Sequence, residues 1–162
     1  METKQAIRKW SDVYKLDVVV PSEGKSVGYV EDLFMKEGSN AVYGLCVRTR
    51  LYGDLTLPVT GIIAVENNQV TIRNAQMLLR SVPPHARSQQ LLARKVVNEK
   101  GNEIGTIKDI FLGVENPSAL HVAGFEIAHG SSTRVLSSEG VVQYDNQSNT
   151  LIVHDQSAKK LH

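Results

Sequence analysis

The segment 19–35 returns 77 residues later as 96–112, and this repeat limits the folds open to the chain more than any other feature. Six of the seventeen positions are identical: Val19 and Val96, Val20 and Val97, Gly24 and Gly101, Gly28 and Gly105, Asp32 and Asp109, Phe34 and Phe111. The correspondence runs on from Gly44–Val47 to Gly124–Ile127, after a three-residue insertion near Asn116 and Pro117, and from Gly61–Ile63 to Gly140–Val142. An ordered series of this length marks a tandem duplication, one supersecondary unit used twice. Ser11 and Ser88 hold matching places ahead of each copy's first strand, each able to cap a single helical turn. The 162 residues therefore divide into 1–80 and 81–162, with a connector at about 74–87 that contains Pro83 and Pro84.

What the unit is follows from its residues. The chain holds 20 Val, 9 Ile and 8 Thr, gathered in short runs between Gly, Asn, Asp and Ser, which is a strand-and-turn pattern. The first copy offers strands at 17–20, 27–35, 42–50, 55–59, 62–65 and 70–73. The second offers 95–98, 103–112, 120–128, 133–137, 141–144 and 150–154. Helical periodicity is weak and confined to 75–80 and the N-terminal region. The expected class is all-β.

The strand–glycine turn–Gly-x-x-x-Asp pattern, present as Gly24, Gly28, Asp32 and again as Gly101, Gly105, Asp109, resembles the PRC-barrel family. Leu57-Pro58-Val59 is similar to that family's strand before its last hairpin; the second copy has Leu136-Ser137-Ser138 and lacks the proline. The resemblance covers about 11–73 and 88–153. It implies a small, strongly bent, six-stranded β-barrel for each copy. The short helical or irregular connector carries more apolar side chains than a free linker should expose, so 75–80 and Leu91-Leu92 are expected to pack against or between the two barrels and hold them together. It also implies relatives of diverse employment, among them the cytoplasmic domain of the photosynthetic reaction-centre H subunit and the C-terminal domain of a ribosome maturation factor. Fold alone does not assign a function.

Few residues suggest chemistry. By strand alternation Asp32 shares a face with Val30 and Phe34, and Asp109 with Ile107 and Phe111. A carboxylate on such a face must be hydrogen-bonded, so both are expected to tie down main-chain N–H groups of a turn or bulge. Gly24 and Gly101 suit turns with positive φ, and Gly28 and Gly105 suit bulges or close backbone approaches. The histidines His85, His121, His129, His154 and His162 are scattered, and His121 and His129 lie about 26 Å apart along an extended strand. No metal and no cofactor is expected, and Cys46 reads as a small apolar strand residue. With no nucleophile or acid–base constellation in view, the chain is expected to be non-enzymatic.

A contact surface is the stronger expectation. Arg48, Arg50 and Tyr52 are the candidate: alternation turns both arginines to one side, where they and the tyrosine suit a phosphate and a stacked ring, or a protein surface. Charge decides between these. The formal net charge is +1, from 18 basic and 17 acidic residues, without the basic footprint of a nucleic-acid binder. The first reading is thus a bacterial protein–protein adaptor, and the second a ribosome- or RNA-associated assembly factor. A third is an accessory protein of a photosynthetic complex. No signal peptide is evident, and no apolar run approaches the roughly 20 residues of a membrane span. A cytoplasmic setting without membrane insertion is expected, including the inner face of a membrane complex.

Overall fold

All twelve expected strands form, within a residue or two, in a computed structural model that describes residues 7–36, 39–80, 86–87, 91–145 and 150–154. The first copy supplies β2 (Asp17–Val20), β3 (Lys25–Met35), β4 (Val42–Thr49), β5 (Gly53–Pro58), β6 (Ile62–Val65) and β7 (Gln69–Ile72). The second supplies β9 (Lys95–Asn98), β10 (Glu103–Gly113), β11 (His121–His129), β12 (Ser132–Ser137), β13 (Val141–Asp145) and β14 (Thr150–Val153). Two short strands, β1 (Ile7–Lys9) and β8 (Ala86–Arg87), and one helical turn, α1 (Trp10–Val13), add to these. The protein is all-β. Pro83, Pro84, His85, Ser88, Asn146 and His162 lie outside the described residues.

The strand orders are identical, β5-β4-β3-β2-β7-β6 and β12-β11-β10-β9-β14-β13. In each, the two end strands are consecutive in the chain, joined by one 3₁₀ turn, Val59–Gly61 or Ser138–Gly140. A three-residue link forces the two ends of a six-strand sheet together at that corner, so each sheet must curl.

The curl is built from bulges, and these repeat as faithfully as the strands. Register slips at Val18/Val19, Val30/Asp32, Phe34/Met35 and Ile62/Ala64 in the first copy. It slips at the equivalent Gly105/Glu103, Ile107/Asp109, Phe111/Leu112 and Val141/Gln143 in the second. Each bulge inserts an unpaired residue and bends its strand.

Gly28 and Gly105 stand at the first of these bulges, with φ of 158° and 156°. A Cβ on Gly28 would strike the carbonyl oxygen of Arg48, and one on Gly105 that of Ala128. Glycine is there because the neighbouring backbone fills the space of a side chain.

The two halves interlock. β1, which precedes the first copy, pairs with β10 of the second, and β8, which precedes the second, pairs with β3 of the first. Between them, the Val42 N–H donates to the Leu120 carbonyl (3.0 Å) and the Val122 N–H to the Asn40 carbonyl (2.7 Å). Val42 and Val122 are equivalent residues, as are Asn40 and Leu120, so these contacts are related by a pseudo-two-fold axis. One continuous apolar core runs through both halves, from Trp10 and Val13 to Leu151 and Val153.

The connector does not form the helix suggested at 75–80. Ala75–Met77 makes a single 3₁₀ turn, after which Leu79 extends and bridges Thr56 of β5 by two hydrogen bonds of 2.7 Å. Main-chain pairing to an open strand edge outweighs a weak local helical preference. Met77, Leu78 and Leu92 pack on the core and Leu91 is buried, whereas Ala75 is exposed.

Candidate functional site

The β4–β5 hairpin presents the expected contact residues, in an arrangement strand alternation did not foresee. β4 ends at Thr49, so Arg50 belongs to the turn and alternation does not extend to it. The Thr49 hydroxyl organises the turn, accepting from the Tyr52 N–H (3.0 Å) and donating to the Gly53 carbonyl (2.8 Å), with Gly53 at φ 68°. At the tip, Leu51 is 84% exposed and Tyr52 63% exposed.

Arg48 and Arg50 are not equivalent. Asp54 stands directly opposite Arg48 across the ladder and takes its guanidinium in a two-pronged pair, Nε to Oδ1 at 2.8 Å and Nη2 to Oδ2 at 3.2 Å. These hydrogen bonds, then the charge of Asp54, raise the Arg48 pKa further above its ordinary value. Arg48 is therefore committed within the hairpin. The cation that meets Tyr52 is Arg80 of the connector, its Cζ 5.6 Å from the ring centroid. Nothing in the local sequence signals this contact, because 28 residues separate the two and it is the Thr56–Leu79 bridge that carries Arg80 alongside the hairpin.

Asp32 and Asp109 do the same local work. Asp32 is 1% exposed and its Oδ1 accepts the N–H of Leu33 at 2.8 Å; Asp109 is 8% exposed and its Oδ1 accepts the N–H of Ile110 at 2.8 Å. Each carboxylate satisfies a main-chain donor beside a bulge. Asp109 does more. Its Oδ2 accepts the Ser11 hydroxyl at 2.6 Å and its Oδ1 the Ser11 N–H at 3.3 Å, tying α1 of the first copy to β10 of the second. Ser11 thus lies inside its helical turn rather than capping it, and a carboxylate from the other repeat caps that turn instead. Phe34 is buried and Phe111 is half-buried beneath the Lys9 ammonium, 5.9 Å from the ring centroid.

A cleft of about 300 Å³ opens where the repeats meet, walled by Trp10, Tyr14 and Leu92 and edged by Glu31, Lys108 and Asp109. Tyr14 and Leu92 are equivalent residues, each preceding one with positive φ (Lys15 at 73°, Ala93 at 66°), and Glu31 and Lys108 are the equivalent bulge residues. The cleft therefore straddles the pseudo-axis. Its charged groups are already engaged: Glu31 with Lys15 at 3.3 Å, Lys108 with Glu126 at 3.7 Å and Asp109 with Ser11.

Among the described residues no group of three or more His, Cys, Asp or Glu side chains is placed to hold a metal ion. His121 and His129 open and close β11. His121 Nδ1 lies 3.0 Å from the Ala119 carbonyl, and His154 Nδ1 lies 2.9 Å from Glu99. Cys46 is buried in β4. Among these residues no helix is long and apolar enough to cross a membrane.

No family model matches the chain, and neither does any curated protein.

Proposed function

We propose that this is a tandem PRC-barrel protein without catalytic activity, whose work is to hold another macromolecule, and that its partner is a protein engaged by the β4–β5 hairpin tip. The observation that carries this reading is the pair Leu51 and Tyr52, 84% and 63% exposed on a turn that Thr49 holds in one shape. Large apolar side chains presented on an ordered tip cost solvation in the free protein and are recovered on docking. Tyrosine also suits such a role, since it contributes area at low conformational cost and offers a polar end. The bilateral pairing of Arg48 with Asp54 withdraws one of the two arginines from phosphate recognition and favours protein over RNA.

RNA is the second reading, and Tyr52 and Arg80 favour it, because an exposed ring beside a guanidinium group suits a stacked base. One experiment separates the two. The intact protein and its Leu51→Ser/Tyr52→Ala variant are used as bait in native lysate at low and at raised salt. A protein partner lost with the variant and retained at raised salt supports the adaptor. Ribosomal particles released steeply by salt support the RNA reading. Identical captures by bait and variant overturn both.

A further inference from the structure

The duplication gives the protein two equivalent sheet edges, and among the described residues only one is closed. On β5 the outward main-chain groups of Thr56 pair with Leu79, and the next outward position is Pro58, which has no N–H to offer. On β12, Val135 lies opposite Glu126 as Thr56 lies opposite Cys46, and Ser137 lies opposite Gly124 as Pro58 lies opposite Gly44. Main-chain groups alternate in direction along an antiparallel ladder, so Thr133, Val135 and Ser137 present theirs outward. Among the described residues no strand pairs with that edge. Neither device that closes β5 recurs among the described residues: serine replaces the proline, and no described residue takes the place of Leu79.

We propose that the outer edge of β12 takes up an extended peptide segment of a partner protein, antiparallel, with an aliphatic residue opposite Val135 and a carboxylate opposite Arg134. The chain's own connector shows how such a segment sits. With Leu79 opposite Thr56, antiparallel pairing places Arg80 opposite Leu55, and the equivalent of Leu55 on β12 is Arg134. An aliphatic residue therefore belongs at the position of Leu79, while an arginine at the position of Arg80 would face a second arginine. Arg134 is exposed and makes no ion pair with any described residue, so an acid is the residue its charge selects. A second copy of this chain fits less well. Two β12 strands paired about Val135 would place a leucine, not an acid, against Arg134. The strand also has six residues, where a stable dimer interface takes roughly 20–30 a side. Strand addition by a short peptide suits an edge of this length. The site is independent of the Leu51–Tyr52 tip.

The test uses the intact chain and two labelled heptapeptides with the sequence of residues 74–80, one unaltered and one carrying Arg80→Glu, followed by fluorescence anisotropy. The glutamate peptide is expected to bind about fivefold tighter or more, the range of a cross-strand charge contact changing sign. Arg134→Glu should invert that order, which also excludes binding at β5, where the facing residue is Leu55. Ser137→Pro copies the closure of β5 and should abolish binding of both peptides. The backbone at Ser137, φ −74° and ψ 142°, already resembles that of Pro58 at −61° and 149°, so the variant should fold. Leu51→Ser should change nothing. Equal affinities for the two peptides, absence of binding at millimolar concentration, or binding that survives Ser137→Pro would overturn the proposal. So would self-association of the chain that Ser137→Pro abolishes and the peptides do not compete, since the occupant would then be a second copy. Should Ser137→Pro not fold, the Arg134→Glu inversion decides alone.

Discussion

Ala41 and His121, equivalent residues in the two repeats, pair with each other across the pseudo-two-fold axis. The bonds on either side are reciprocal, Val42 to Leu120 and Val122 to Asn40, so β4 and β11 meet head to head at their first residues. Such self-complementary contact is what a symmetric dimer uses, with residue i touching j and j touching i. Here covalent linkage has joined the two partners, and β1 and β8 cross over to seal each other's long strand.

The glycines at the first bulge should tolerate no side chain. In Gly105→Val the added atoms meet the Ala128 carbonyl and the Ile127 side chain, 2.7 Å from the new Cβ. The backbone must open the bulge to admit them, and a loss of about 2–4 kcal/mol in urea unfolding is expected. Gly24→Ala is the control. Its Cβ would enter open space, so only the left-handed backbone at φ 58° opposes it, at about 1 kcal/mol. Equal losses at the two sites would refute the close-approach account.

Ser11 and Asp109 should be energetically coupled although 98 residues separate them. Either Ser11→Ala or Asp109→Ala removes a hydrogen bond to a charged group, and about 1–3 kcal/mol is expected for each. Asp109→Ala should cost more, because the Ile110 N–H also loses its acceptor. In a double-mutant cycle the pair should show about 1 kcal/mol of coupling. Strict additivity would mean that the bond contributes nothing across the repeat boundary.

The matched phenylalanines should differ. Phe34 is 1% exposed, so Phe34→Ala leaves a cavity and should cost about 3–5 kcal/mol. Phe111 is half-buried under Lys9, and its truncation should cost clearly less in the same denaturation assay. A larger loss at Phe111 would contradict the burial that separates them.

Strand positions were legible because β-branched runs and turn residues are local signals, and the repeat let each copy check the other. The bulges were not. Nothing in the run from Val30 to Phe34 announces that Glu31 is extra, yet that one residue breaks the simple alternation between Val30 and Asp32, while Asp32 and Phe34 keep their common parity. Arg48 and Arg50 fail the same argument, because the strand stops at Thr49 and Asp54 claims Arg48. The exchange of β1 and β8 was beyond reach for another reason. Strands of two and three residues have too few side chains to show a period, and their partners are chosen by the tertiary arrangement. A lone leucine such as Leu51 carries no sign of its exposure in the sequence, because only the finished hairpin turns it outward.

Separating the repeats should unfold both. Residues 1–80 alone would keep β2–β7 but lose β8, the Leu120 carbonyl that Val42 reaches, and the cover over Trp10 and Val13. Residues 81–162 alone would lose β1, the Ser11 contact to Asp109 and the Asn40 carbonyl that Val122 reaches. A unit of some 80 residues has little stability to spare once part of a shared core is exposed. The lone tryptophan makes the experiment direct. Trp10 is 5% exposed on α1, which packs against β10 of the other repeat, so its emission should be blue-shifted in the intact chain. In the isolated 1–80 fragment it should move to the red, and adding the 81–162 fragment should restore it in a saturable, equimolar manner. A fragment 1–80 with native emission and a sharp thermal transition of its own would show that the interlocked contacts are dispensable, and the two repeats would then be independent domains.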